Sequence, residues 1–406
     1  MFHVKQRRFL GLFLLVGFLS LAIGCIGQEG ARGWAGPVRY GDLGIVSTGA
    51  GRLDAIDAEG RPVWRFPDMW NIPDDSADNL DGIYGAPLMG SYNGTNVIFV
   101  GDYNGYVYAF RPDDVQQGVT IEPPPAASFE LDGLVIGGLA LDPETDTLYV
   151  TSGSRLYAIR ASDLVARIDN RDAQVTAVSP APEGERPGVL FKTDGEIWGA
   201  PVLADGKLLL TSLDGGLYAL DPETGAEIWH FDAGQGLVST PVVEGDLVLV
   251  SGFGSTLYAV DLADGSERWS FKAKHWIWGD AAIDGEIAYA GDFDGIVHAI
   301  DLESGNEVWS LDLGHEAIRA SPVLSDGTLV VGTDGNWLAG IDTASRSIAW
   351  QRNVGSKMNA DLTLDDGEVL IAPRSCVTPE GGGSEVYYTK VDARTGDLSG
   401  ISTGVC

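Results

Sequence analysis

One segment of this sequence returns about every 40 residues. Residues 215–229 read GGLYALDPETGAEIW, residues 255–269 STLYAVDLADGSERW and residues 295–309 GIVHAIDLESGNEVW. The corresponding tryptophans, Trp229, Trp269, Trp309 and Trp350, lie 40, 40 and 41 residues apart. A unit of this size, built of short alternating apolar runs between Gly and Asp turns, cannot bury its apolar faces alone and must stack on its neighbours. Four short strands per unit fit the blade of a propeller.

Aligned on the LYAxD stretch, eight copies appear: residues 51–57, 105–111, 154–160, 215–221, 255–261, 295–301, 336–342 and 386–392. Pro37 to Asp57 aligns without a gap to Pro241 to Asp261. The sequence therefore predicts an all-β chain, an eight-bladed β-propeller of four-stranded antiparallel blades occupying residues 34–406 as one domain. In the fifth repeat TPVVEG, DLVLVSG, TLYAVD and ERWSF read as strands A to D, each a short apolar, β-branched or aromatic run bounded by Gly and Asp. Residues 67–82, 112–130 and 161–192 interrupt the repeats and read as loops.

The N-terminus reads as a targeting segment. Lys5, Arg7 and Arg8 precede an apolar run over residues 9–23, too short and wrongly flanked for a stable span, so residues 1–24 are expected to be a signal peptide. The run ends in LAIGC, which resembles a lipobox and makes Cys25 the expected lipidation site, followed by a tether over residues 25–33. Ordinary signal-peptidase cleavage or a plain membrane anchor is the alternative. Two more cysteines, Cys376 and Cys406, fall in the last repeat, and a disulfide between them would pin the final strand. The alternative there is two free thiols. Neither has a neighbour at metal-ligand spacing, and no metal site is expected.

Net charge is −32 with only seven lysines, which opposes phosphate-backbone binding and removes nucleic acid from the partners. The A–B and C–D turns, on one face, are acidic. The D–A connections, on the other, collect Lys192, Lys272, Lys274, His275, His315, Arg319, Arg352 and Lys357. Three residues before each inner-strand Pro or its equivalent stand Trp34, Tyr84, Ile136, Trp198, Val238, Trp278, Arg319 and Asn359, a ring around one mouth of the axial channel. The patch KHWIWGD is its densest part. Trp34, Tyr84, Trp198, Lys274, His275, Trp276, Trp278 and Arg319 are the candidate rim for a partner or ligand, because aromatics interleaved with cations compose binding surfaces. Taken one by one, such aromatics also serve as filling between blades.

ALDPETGAEIW (219–229) carries the AxDxxTGxxxW pattern, with degraded copies ending at Trp64, Trp269, Trp309 and Trp350. This resembles the docking motif of pyrroloquinoline-quinone (PQQ) repeat propellers, and implies that Trp64, Trp229, Trp269, Trp309 and Trp350 pack between neighbouring blades. Two classes share such repeats: the PQQ-dependent alcohol dehydrogenases, and the non-catalytic lipoproteins similar to the outer-membrane assembly factor BamB. The dehydrogenase resemblance implies a quinone held between a tryptophan and a disulfide of adjacent cysteines, and no two cysteines are adjacent here. GDYNG and GDFDG read as B–C hairpin turns rather than calcium loops. The five histidines show no close-spaced ligand pair, and no GxSxG, HExxH or P-loop occurs. No catalytic residue and no cofactor is expected. The resemblance to the BamB-like class implies a monomeric, membrane-tethered, extracytoplasmic scaffold for protein partners, among them the barrel-assembly machinery. A PQQ-type oxidoreductase and a small-ligand sensor are the alternatives.

Overall fold

Strands B and C of each repeat are continuous apolar runs, whereas strand D alternates, and this difference dictates a stacked-blade arrangement. The computed structural model describes residues 36–48, 52–57, 62–66, 82–114, 126–178, 181–314, 316–354, 358, 361–371 and 389–399. They form eight four-stranded antiparallel sheets, each contiguous in sequence and ordered A-B-C-D as the chain runs. The expected propeller is what the chain forms. Strands A of neighbouring blades approach one another, so they surround the axis and strands D lie outermost.

Blade 5 shows the pattern. Its strands are A, Val242–Glu244; B, Leu247–Ser251; C, Thr256–Asp261; and D, Glu267–Lys272. Val248, Leu249 and Val250 of strand B are all buried, because a neighbouring blade covers each face of the sheet. In strand D only Trp269 is buried, at the one position that points into the next blade.

The motif residues explain how blades join. In blade 4 the Asp221 carboxylate accepts the Thr224 N–H at 2.8 Å and the Thr224 hydroxyl at 2.7 Å, closing the C–D turn. These hydrogen bonds hold its carboxyl below the usual carboxylate range. The turn then presents a glycine and a carbonyl to the preceding blade's tryptophan. Trp229 donates its indole N–H to the Leu262 carbonyl at 3.1 Å, Trp269 to Leu302 at 2.7 Å and Trp350 to Ala393 at 2.9 Å. Gly265, Gly305 and Gly396 lie against these rings at φ of 71–76°, and a Cβ there would stand 2.5–2.7 Å from an indole atom. The position needs glycine twice over, for its left-handed backbone and for the indole.

Blade 7 breaks the rule. Arg346 occupies the glycine position at φ 57°, and Trp309, which faces that turn, is only half-buried. Its ring packs on Tyr289 of its own blade, with centroids 5.8 Å apart.

Between blades 2 and 3 another device replaces tryptophan. The docking position is Ala127 in blade 2, paired with Ala109 as Trp229 is with Ala219. The C–D insertion of blade 3 fills the space: a short helix, α1 (Ala161–Ala166), packs on blade 2 and buries Leu164 completely among Val107, Ala109 and their neighbours. Arg111 anchors the segment after it through two hydrogen bonds to Asp169, at 2.7 and 2.8 Å. The expectation of loops over residues 112–130 and 161–192 is thus corrected. The first ends in strand D of blade 2, Ala126–Glu130, and the second contains α1 and strand D of blade 3, Val189–Lys192. Residues 67–81 lie outside the described residues.

Blade 8 meets blade 1 through apolar contact of Val46, Ile56 and Leu370, and through an ion pair of Arg39 with Asp365. No helix among the described residues is long and apolar enough to cross a membrane.

Truncating Trp269 to Ala should cost about 3–5 kcal/mol, the range for a buried large aromatic, and Trp309→Ala clearly less. Denaturant titration of the two variants checks the order. Arg346→Gly should raise stability by about 1 kcal/mol, since it removes left-handed strain at a non-glycine residue. A higher Tm than wild type is the expected reading.

Candidate functional site

The connections into blades 2 to 7 share one build. A fully buried aliphatic residue (Ile83, Val135, Ile197, Leu237, Ile277 or Ile318) precedes the rim residue, and two small or polar residues lead on to strand A. Backbone hydrogen bonds hold the connection in place. The B–C turn of the same blade donates to the carbonyl before the aliphatic residue, as in Tyr103 to Gly82 at 2.9 Å and Phe293 to Trp276 at 3.0 Å. The aliphatic residue donates to the preceding blade, as in Ile318 to Asp292 at 3.0 Å. The rim residue therefore projects over the axis from a rigid base.

Tyr84, Ile136, Trp198, Val238, Trp278 and Arg319 line one cavity of ≈ 80 Å³. These are six of the eight ring positions; Trp34 and Asn359 lie outside the described residues. Trp198 and Trp278 touch, with centroids 5.9 Å apart. Around them the B–C turns add rings that the sequence pattern did not single out: Phe253 lies 5.6 Å from Trp278, and Phe293 5.8 Å from Trp278 and 5.5 Å from Trp276. Both occupy the second position of the B–C turn, as Tyr103 does, which packs on Tyr84 at 5.1 Å. That shared position was a readable signal. Lys274, His275 and Trp276 are exposed, Trp276 at 39%. His275 stacks on Phe293 at 5.6 Å.

Arg319 does not stand as a loose cation. Its Nε donates to Asp334 Oδ2 at 2.7 Å and its guanidinium covers Phe293 at 4.5 Å. Arg352, grouped by sequence with the same face, instead reaches the C–D turn of blade 8, donating to the Gly396 carbonyl at 2.9 Å. Lys192 pairs with Glu185 at 2.9 Å.

Below the rim runs a hydrogen-bond ladder made by the residue just before strand A. The Ala200 N–H donates to Thr240 Oγ1 at 3.2 Å, Thr240 N–H to Asp280 Oδ1 at 2.7 Å, Asp280 N–H to Ser321 Oγ at 2.9 Å and Ser321 N–H to Asp361 Oδ1 at 2.9 Å. Each side chain thus satisfies a backbone donor of the preceding blade. In blades 1 and 3 the position is Gly36 or Gly138, where a Cβ would meet the neighbouring blade at 2.6 or 2.7 Å. One half of the channel wall is polar, and the other carries only glycine and alanine at this position.

Asp280 and Asp361 both line the cavity. Both keep access to solvent, Asp280 half-buried and Asp361 exposed, while the surrounding ring crowds their carboxyls. Burial raises the Asp280 carboxyl well above the usual carboxylate range, and the charge of Asp361 adds to it; burial raises Asp361 in the same direction. The pair therefore disfavours two negative charges together.

His298, in strand C of blade 6, is buried and takes the place tyrosine has in other blades. Its ring nitrogens lie 3.2 Å from Asp292 and 2.7 Å from Glu307. Burial opposes its charge, but the two carboxylates prevail and its pKa is raised. Asp292 also accepts the N–H groups of Asp294 and Ile296, closing GDFDG as a hairpin turn. Among the described residues no group of three or more His, Cys, Asp or Glu side chains is placed to hold a metal ion. Cys25, Cys376 and Cys406 lie outside the described residues.

Residues 161–316 and 293–399 match the family described as outer membrane protein assembly factor BamB. Among solved structures, a computationally designed protein, Ika8, is similar with a TM-score of 0.63 at 14% identity, covering 89% of this chain and 97% of its own. BamB from Moraxella catarrhalis is similar with a TM-score of 0.60 at 16% identity, covering 84% of this chain and 91% of its own. Identities this low carry the fold alone. None of the curated proteins matches the chain.

A carboxyl whose folded pKa is raised stabilises the fold below its unfolded value and loses that contribution as pH rises through the folded one. Wild type and Asp280→Asn should therefore be similarly stable near pH 4, and wild type should fall behind as pH rises towards about 8. Thermal melts of both across this range check the sign.

Proposed function

The chain belongs to the family of the outer membrane protein assembly factor BamB, and from that premise we propose that it is a non-catalytic, extracytoplasmic scaffold that binds protein partners through the aromatic face of its propeller. The observation that carries the reading is the continuous surface of Trp276, His275, Phe293, Phe253, Trp278 and Trp198, fixed by ring contacts and open to solvent at Trp276. Rigid aromatics that straddle an exposed surface are the anchors protein interfaces are built on, because they bury large area at small entropic cost. Exposed Lys274 beside them adds a positive charge to a strongly acidic molecule, which would orient an acidic partner on this face.

The family supports a scaffold role for this chain within an outer-membrane barrel-assembly machinery. Lipidation at Cys25 would keep the propeller at a membrane surface, where assembly partners meet it. A quinone-dependent oxidoreductase draws less support, because the adjacent cysteines that hold the quinone in that class have no counterpart in the sequence.

Affinity capture of the tethered protein from its host membrane, with identification of what accompanies it, tests the scaffold. Barrel-assembly proteins should be recovered, and Trp276→Ala should weaken their retention by about tenfold or more, as expected for loss of an interface anchor. The fold should survive, since Trp276 is an exposed side chain. Equal recovery with wild type and Trp276→Ala would remove this face from the interface.

A further inference from the structure

The axial cavity has a composition that the scaffold role does not use. Its floor holds two carboxylates on alternate blades, Asp280 on blade 6 and Asp361 on blade 8, with Ser321 between them on blade 7. The ladder engages one oxygen of each, Oδ1. The wall above is aromatic, Trp198 and Trp278 with Tyr84 across the axis. Among the described residues the charged side chains that line this space are Asp280, Asp361 and Arg319, two carboxylates against one guanidinium that is itself paired with Asp334. Glu196 stands behind the wall, accepting the Trp198 indole N–H at 2.9 Å, and His275 lies outside on Phe293.

Each feature narrows the ligand. An anion would meet the carboxylates, while Arg319 is already spent on Asp334 and Phe293. Among the described residues no group of three or more acids, histidines or cysteines is placed here to hold a metal ion. A cavity of ≈ 80 Å³ has room for a head group of a few heavy atoms. Carboxylates joined with tryptophan faces in one small space are what a hydrogen-bearing organic cation requires, through charge-assisted hydrogen bonds on one side and cation–π contact on the other.

We propose that the cavity binds an alkylammonium group, its nitrogen held by Asp280 and Asp361 and its first carbons against Trp198 and Trp278. The group comes from a free amine or from a lysine side chain of a partner. The ion favours the ionised form of both carboxylates, so its binding is linked to release of a proton from the site. The site shares Trp198 and Trp278 with the outer aromatic surface, and what sets it apart is the pair of carboxylates below them, Asp280 and Asp361.

Methylammonium chloride is the probe, titrated into the full chain and read by tryptophan fluorescence and calorimetry, with methanol and potassium chloride as controls. The expected result is saturable binding of methylammonium alone. Its affinity should climb with pH by up to about tenfold per unit while one proton is released per ion bound. Asp280→Asn and Asp361→Asn should each lower that affinity at least about tenfold and flatten the pH slope. Both keep the Oδ1 acceptor of the ladder, and circular dichroism would verify that they fold. Should either variant fail to fold, the wild-type pH slope decides alone. Absence of saturation, equal binding of methanol, or an affinity indifferent to pH would each overturn the proposal. A lysine-bearing peptide that competes with methylammonium would identify a partner side chain as the source. A peptide that does not compete, beside methylammonium that binds, would identify a free amine.

Discussion

Everything in this molecule depends on the contact between an indole and the glycine turn of the next blade. A single four-stranded blade exposes two apolar faces and has no stability of its own, so what holds the ring is how each blade is fixed to the next. Trp229, Trp269 and Trp350 fix it with one ring, one hydrogen bond and one glycine each. The contact sets both distance and rotation between blades, and through them the position of the D–A connections on the axis. The rim residues can converge on one small cavity because this outer joint, or packing that substitutes for it, holds neighbouring blades at similar spacing.

The molecule also shows where that joint is replaced. Ala127 cannot dock, and the helix Ala161–Ala166 takes over with Leu164. Arg346 takes the place of the turn glycine and Trp309 is less buried for it. Inside the ring a second joint, the ladder from Ala200 to Asp361, ties five blades at the axis. Placing carboxylates in that ladder is costly, because burial opposes their charge. A neutral serine or threonine meets the same need at Thr240 and Ser321.

The fold was legible because its signal is periodic. The spacing of the tryptophans, the AxDxxTG turn and the difference between strands B, C and D each follow from burial on two faces or one. The ring positions were legible by the same register, and Tyr84, Trp198, Trp278 and Arg319 do meet at one cavity. Phe253 and Phe293 escaped notice because a B–C turn is read for its Gly and Asp, and the ring between them looks incidental. Asp280 and Asp361 were hidden differently. Their importance arises from proximity across two blades, and nothing local in GDAA or NADL announces it. The helix at Ala161–Ala166 is too short for periodicity to reveal, and its place is set by a gap in another blade.

The most direct test is hydroxyl-radical footprinting of the protein in its native membrane, compared with the purified chain. If the aromatic face is an interface, His275, Trp276 and Phe293 lose labelling in the membrane, while Glu244 and Asp246 on the acidic face label equally in both. Equal labelling of Trp276 in the two states, or protection concentrated on the acidic turns, would contradict the account.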